Sequence, residues 1–498
     1  MKNYIKLFFL FLIIIITGCE SNKIKKDNIY YFNEPFNEIS KEATKFNDIT
    51  DELVKYESNG IELNVVKRTF SNSDNAYFIT INNTTNNDKS LELIIPFRMN
   101  STVNFDDLKI SKGFSTLVGY DKTTNPSLYI ESKNSSILIG KSYSYNEKIL
   151  EYDDKHKSIM FNLLSENNDI VTSKNEIKKQ IIIKANSKID TYFYYSNDKL
   201  FKNDAAIKKY KDMLVNNETA VWQRYSGKIS KVQYSIEPFT REGYIHNIGS
   251  IFEKASFRYY DDSNYFKDVT DSSVISLMNY IPHTEEGLFL TIYTSTWVKK
   301  PYNIVAPYID TRHNENVGKS LRDYGKKVNA QELENINLNY SNFLLNKYNK
   351  NKYLKLGKEA ILFYDYYSID GDEKTHASLN HQLAIANYLF ESFLQTNNEE
   401  YYNLAKKVIS GIEKIGKKWM RDNNDLWYEV TPELTFTGTD YPTVTFEDLL
   451  YTQELLTKID KKKSATINIL IKSKYKYIKN NNIKISNEIL NKYESVVD

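Results

Sequence analysis

Apolar residues along the chain keep two different rhythms. From residue 58 to 200 they come in short runs: "IELNVVKRTF" from Ile61, "AYFITINN" from Ala76, "LELIIPFRM" from Leu91, "SLYIES" from Ser127, "SILIGKSYSY" from Ser136 and "KQIIIKANSKIDTYFYYS" from Lys179. β-Branched and aromatic residues dominate them, and clusters of Asn, Ser, Asp and Gly separate them at intervals that suit hairpins. This pattern predicts an antiparallel β-sandwich-like domain over 58–200. "NDAAIKKYKDMLVNNETAVWQRY" from Asn203 has helical spacing and predicts a helical bridge over 201–239.

Farther on, the period changes from two to three and four. "LENINLNYSNFLLNKYN" from Leu333, "KYLKLGKEAILFYDYY" from Lys352, "DEKTHASLNHQLAIANYLFESFLQT" from Asp372, "EEYYNLAKKVISGIEKIGKKWM" from Glu399 and "FEDLLYTQELLTKI" from Phe446 all repeat apolar residues at helical spacing. Short polar links such as Asn397-Asn398 join successive helices. The pattern predicts antiparallel helix pairs over 240–498, arranged as a bundle, a solenoid or a closed α/α toroid. The fold class expected is thus multidomain α+β.

Projection of the 372–396 helix at about 100° per residue places Leu379, Leu383, Ala386, Phe390 and Phe393 on one stripe. His376, Asn380, Asn387 and Glu391 fall on an adjoining arc, while His381 and Tyr388 turn toward the back. The first turns therefore set polar chemistry beside a buried seam, where free N–H groups favour an anionic ligand. Plain capping of the helix start is the alternative for His376 and Asn380. Downstream, "NDLWYEVTPELTFTGTDYPTVTFEDLL" from Asn424 reads as a long loop rich in Thr, Tyr and Pro that holds Trp427, Tyr428, Glu429, Asp440 and Tyr441 near helix ends.

The N-terminus changes the picture of location. Lys2 and Lys6 precede an apolar run from Leu7 to Ile16, and Ile16-Thr17-Gly18 leads to Cys19, the only cysteine among 498 residues. The run is short for a membrane span and ends at small residues before the cysteine, as in a lipoprotein signal peptide over 1–18. Cys19 is then the expected lipidation site, and 19–57 a polar tether. The mature chain is expected in a bacterial cell envelope, lipid-anchored and extracytoplasmic. A formal net charge of +2 with 26% charged residues supplies no global field for nucleic acid. Forty tyrosines amid many Lys, Asn and Ile reflect a composition bias rather than a site.

The pairing of "SLNHQLAIANYLFESFL" with "TDYPTVTFEDLLYTQELL" resembles the C-terminal domain of the D-glucuronyl C5-epimerase family over roughly 350–458. That family has a Leu-Asn-led helix followed, after another helix and a Tyr-bearing hairpin, by an Asp-Tyr-x-Thr turn that opens the last helix. The resemblance implies an α/α toroid behind a β domain. It matches Asn380 to the Asn of the first motif, Tyr441 to the functional Tyr of the second, and Tyr428 to the hairpin Tyr. The sequence departs from the family at His381, where Gly is usual, and at Pro442 and Thr445, where His is usual. The family's Glu-Tyr pair upstream of the helix has no clean match here; only Tyr366, Tyr367, Asp370 and Glu373 lie in that neighbourhood.

Inverting C5 of a uronic acid removes a proton beside a carboxylate and returns one from the opposite face. Tyrosine, with an ordinary pKa of about 10, needs nearby cations or donors to serve as the base, and the substrate carboxylate needs neutralising. The resemblance thus implies Tyr441 and Tyr428 as proton carriers and Asn380 as a binding group, and the sequence itself offers His376 and Asn380 as donors, Arg312 as a charge partner, and His381, Asp370 and Glu429 as further candidate substrate-binding groups. Tyr308, Arg312 and His313 suit a solvated loop or an ordinary ion pair equally well. No nucleotide loop, zinc motif or serine-hydrolase elbow is present in the sequence, so neither cofactor nor metal is expected. The expected partner is an acidic polysaccharide or another envelope glycan. Two alternatives remain open. One is a lyase or a glycosidase, the latter pairing Asp370 with Glu429 or Asp440 across roughly 5–9.5 Å. The other is a glycan-binding lipoprotein without turnover.

Overall fold

The computed structural model describes residues 29–105, 108, 128–151, 157–167, 169–216, 222–280, 284, 287–369, 371 and 373–497. The signal segment, Cys19 and Asp370 lie outside the described residues. The chain divides into two compact units between Tyr280 and Ile281.

The first unit is built on antiparallel strands. Its large sheet runs in the order Asn37–Phe46, Ile49–Ser58, Ile61–Thr69, Asn75–Asn83, Lys188–Ser196, Ser142–Glu151, Lys157–Asn167, Gly243–Ile245 and Ser230–Lys231. A smaller sheet orders Tyr31–Phe32, Lys89–Pro96, Glu176–Ile183 and Ile170–Thr172. Alternation along each strand sends side chains to two cores. Ile61, Leu63 and Val65 meet Leu91, Leu93, Ile95, Ile177 and Ile181 in one. Val66, Phe78, Tyr192 and Tyr194 meet Tyr210, Tyr265 and Phe266 in the other.

Two expected boundaries move. Among the described residues strand structure begins at Tyr31, so much of the expected 19–57 tether is sheet. Asn37–Phe46 is an edge strand whose residues are half-buried or exposed, and its charges disguise it as tether. The division also falls later than 201–239, because the Asn264–Met278 helix is buried nearly all round and contributes Tyr265, Phe266, Val269 and Ile275 to the core of the β unit.

The second unit is mainly helical. Its longer helices are Thr311–Val328, Leu338–Asn349, Leu379–Thr396, Glu399–Ile415, Val444–Asp460, Ala465–Asn480 and Asn487–Val497. The Leu379 helix is central and packs on the Thr311, Leu338, Glu399 and Val444 helices. From Leu379 to Phe390 it has no exposed back: His381 and Tyr388, projected away from the seam, are buried along with Leu383, and exposure begins only in the last turns, at Leu394. Asn397 at φ 57° ends it in the left-handed conformation that Asn tolerates, and Asn398 accepts from the Glu400 N–H to start the next helix. Among the described residues no helix is long and apolar enough to cross a membrane.

Two small sheets set the ends of these helices. Tyr308–Asp310 pairs with Tyr366–Ser368, and Ala377–Ser378 pairs with Trp427–Val430, which pairs with Phe436–Thr439. The 424–450 segment is therefore a hairpin followed by a helix, where the sequence composition suggests a long loop. The Tyr308–His313 segment is likewise a strand running into a helix rather than a solvated loop.

Candidate functional site

Asp365 organises the junction of these pieces. It is fully buried and follows Phe363, whose backbone is held on both sides by the Gln382 side chain at 2.8 and 2.9 Å. Its carbonyl accepts from the Thr311 N–H and hydroxyl, and its carboxylate accepts from the Ser378 N–H at 3.0 and 3.1 Å and from the Ser378 hydroxyl. A carboxylate thus sits against the free amides that begin the Leu379 helix. Burial acts to raise its pKa. The charge of His381, the pull of His376 and the Ser378 hydrogen bond outweigh that and hold it below the usual carboxylate range.

His376 lies between two carboxylates. Its Nε2 is 3.3 Å from Asp365 Oδ2 and 3.2 Å from Glu429 Oε2, and its Nδ1 is 2.9 Å from the Tyr302 hydroxyl. The pairing of Ser378 with Glu429 explains how the hairpin delivers the second carboxylate. Burial works against the imidazolium, but Asp365, Glu429 and Asp310 carry the pKa above the ordinary histidine value. His381 goes the other way. Burial lowers its pKa more than Asp365 and Asp310 raise it, and the Thr311 hydroxyl lies 2.7 Å from its Nδ1. One histidine is thereby biased to the charged form and its neighbour to the neutral one, a separation typical of acid/base sites. The half-buried Tyr366 ring touches both, with centroids at 5.6 and 6.0 Å.

The two tyrosines singled out from the sequence meet here. Their rings stand edge to face at 5.7 Å, and the Tyr428 ring is 6.2 Å from that of His376. Tyr441 is 48% exposed and gives the cluster its open side. Both phenols are held above the ordinary tyrosine pKa, chiefly by burial. The negative charge of Asp365 adds to this at Tyr428, and that of Asp310 at Tyr441. Tyr428 is thus held protonated rather than lowered toward the tyrosinate that a base requires.

Other expected residues stand one step away. Asn380 is buried, with its carbonyl accepting from Arg312 at 3.3 Å, and its side-chain oxygen has no hydrogen-bond partner. Arg312 is bound to Asp448 at 3.0 Å and approaches Glu315 at 3.8 Å, so its charge is compensated inside the unit. His313 lies 3.6 Å from Asp310, the residue that caps the Thr311 helix by accepting from the Arg312 and His313 amides. Asp440 is committed elsewhere, to Lys474 at 2.6 Å and the Thr445 hydroxyl at 2.5 Å, which counts against the glycosidase pairs built on it. Trp427 lies under the Arg421 guanidinium at 4.8 Å. Sequence reading missed Asp365, Asp310 and Tyr302. Asp310 had a signal as an Asp before a helix start, whereas nothing local distinguishes the other two.

No protein-family model and no curated protein matches the chain. Among solved structures it is similar to a D-mannose isomerase at 13% identity, covering 45% of this chain and 55% of that one, with a TM-score of 0.33. A cellobiose 2-epimerase from Bacillus thermoamylovorans matches at 12% identity over 56% of this chain and 71% of that one, with a TM-score of 0.40. An unsaturated glucuronyl hydrolase from a Bacillus species matches at 12% identity over 47% and 60%, with a TM-score of 0.32. The chain spans about half the length of the isomerase, 55%.

Proposed function

We propose that the helical unit is a carbohydrate-active acid/base enzyme that moves a proton on a sugar. In its sharpest form it is a C5-epimerase of uronic acid residues in an envelope polysaccharide. The same proposal includes an α/α toroid for the helices and a lipid anchor on Cys19 that holds the chain at the extracytoplasmic membrane surface. The observation that carries it is the run of proton-bearing groups from exposed Tyr441 through Tyr428 to His376 between Asp365 and Glu429. Raised pKa values keep both phenols protonated at neutral pH, so they serve as donors. The accepting role falls to the His376 side of the cluster.

A neutral sugar is the second reading of the substrate, favoured by the charge around His376. Asp310, Asp365 and Glu429 all act on it, while Arg312 is held by Asp448 and Glu315. A substrate carboxylate would enter an acidic surround, whereas hydroxyl groups would find acceptors.

The test is hydron exchange. Uronate polymers and neutral oligosaccharides are incubated with the full protein in heavy water, and products are read for deuterium at C5 or C2 and for unsaturated ends. Exchange at C5 without unsaturation supports the uronate epimerase, exchange at C2 the neutral-sugar reading, and unsaturated ends a lyase. Tyr441→Phe, which removes one hydroxyl, is expected to lower exchange by about 10²–10⁴-fold. Binding of a glycan with no exchange on any would replace the enzyme by a glycan-binding protein.

A further inference from the structure

Tyr302 occupies a position that neither the sequence motifs nor the Tyr428–Tyr441 pair accounts for. It closes the short Thr296–Tyr302 helix, and Asn303 at φ 56° turns the chain away with its N–H on the Lys299 carbonyl. The next residues are anchored by buried Ile304 and Ala306, the latter donating to Thr294 Oγ1 at 3.0 Å. The half-buried phenol is thereby held with its oxygen 2.9 Å from His376 Nδ1 and its ring centroid 5.4 Å from the imidazole.

The opposite nitrogen of His376 has a fixed role. Nε2 faces carboxylate oxygens of Asp365 and Glu429, at 3.3 and 3.2 Å, as an ion pair without hydrogen-bond geometry to either, and ionised carboxylates only accept. Their negative charge favours a proton on Nε2 in the neutral as in the charged imidazole, so that the proton that comes and goes is the one on Nδ1, beside Tyr302. This is the logic by which a carboxylate fixes a histidine tautomer so that the other nitrogen can exchange a proton with a hydroxyl.

We infer that Tyr302 is a second proton carrier of this site, the substrate end of a carboxylate–imidazole–phenol relay running from Asp365 and Glu429 through His376. The inference rests on the acid/base reading of the site and supplies the accepting group which that reading lacks. In the accepting direction, which starts from the neutral imidazole present above the raised His376 pKa, the substrate C–H bond breaks and its electron pair stays on the substrate. The proton bonds to the phenolic oxygen as the phenolic proton passes to Nδ1, leaving an imidazolium. In the donating direction the Tyr302 O–H bond breaks toward the substrate carbon, and the Nδ1 proton restores the phenol. Tyr302 never holds a lasting negative charge, which suits a phenol whose pKa burial and Glu429 push up to about 12.

The experiment compares Tyr302→Phe, His376→Gln and the double variant in the full chain. On the sugar that exchanges, Tyr302→Phe is expected to lower kcat for hydron exchange at least about 100-fold with KM changed by less than about threefold. His376→Gln should fall comparably, and the double variant no further than either single, because the two groups act as one unit. A Tyr302→Phe kcat within threefold of the parent, or single losses that multiply in the double, overturns the inference. A second measurement separates this from failure of the function itself. The ¹⁵N shift of His376 Nδ1, assigned by its loss in His376→Gln, should move across the pH titration when Tyr302 becomes Phe. If no sugar exchanges hydrons, the enzyme reading falls, and this shift alone decides whether the proton path stands: movement upholds it, and an unchanged Nδ1 overturns it.

Discussion

Asp365, His376 and His381 lie within 16 residues of sequence, yet burial and charge drive their protonation in different directions, and each direction has a stability consequence. The folded pKa of His376 is raised, because Asp365 and Glu429 outweigh its desolvation. Its stabilisation is complete below the ordinary histidine value of about 6.5 and drains away as pH rises through the higher folded value. Asp365 is lowered, so its contribution is present above about 3.9 and is lost as pH falls through its lower folded value. His381, held neutral, takes stability away as pH drops through about 6.5. His376→Gln should therefore remove an alkaline decline in stability. At pH 6 it should cost roughly 3 kcal/mol, as two carboxylates lose the cation between them. Thermal unfolding of both proteins across pH 5–9 checks this, and an unchanged alkaline slope would assign the decline to another group. Asp448 offers a direct readout. Burial, opposed by Arg312, pushes it up to about 6, so its carboxyl carbon resonance should titrate with that midpoint.

At the scale of elements, the site depends on how the hairpin after the Glu399 helix is seated. Gly438 adopts φ 78°, and a Cβ there would lie 2.8 Å from the Tyr428 Cβ. Gly438→Ala would meet both backbone strain and that side chain, so it should cost about 1–3 kcal/mol and displace Tyr428. Denaturant midpoints and hydron exchange should fall together. The start of the Val444 helix is pinned from below by Lys474, wholly buried and 2.5 Å from Asp425 and 2.6 Å from Asp440. Lys474→Met leaves two buried carboxylates uncompensated and should cost about 3–5 kcal/mol. Adding Asp425→Asn and Asp440→Asn should recover much of the loss, and recovery of none would show that Lys474 matters mainly by its packing. The Leu379 helix was legible in its apolar spacing, with Asn380 and His381 as local signals in its first turn, but its start was set too early: His376, projected onto its arc, precedes the Ala377–Ser378 strand and lies outside the helix. The hairpin was hidden because "WYEV" and "FTGT" are four residues each and become strands by pairing on Ala377–Ser378. Asp365 and Tyr302 carry no local signature. They reach His376 across 11 and 74 residues of sequence, through contacts that only the fold makes.

For the whole molecule, the change from period two to period three and four announces a β part before a helical part, but the chain divides where packing does. The Asn264–Met278 helix has helical spacing and still belongs with the strands, since its aromatic face completes their core. Composition sees the change of period, whereas the boundary depends on which side a helix buries. The residues of the candidate site behave consistently with the division at Tyr280. His376, His381, Asp365, Glu429, Tyr302, Tyr428, Tyr441, Asp310 and Arg312 all lie after it, as do the partners named for them. The fragment 281–498 should therefore fold alone, give a mainly helical circular dichroism spectrum and unfold cooperatively. More specifically, the His376 resonance should titrate at the same pH in the fragment as in the full chain, because the charges that chiefly move its pKa, Asp365, Glu429 and Asp310, are carried within the fragment. A strand-dominated or non-cooperative fragment would refute the independence of the unit. A helical fragment in which His376 titrates at the ordinary histidine value would locate the fault in the site, with Asp365 and Glu429 no longer placed on either side of the imidazole.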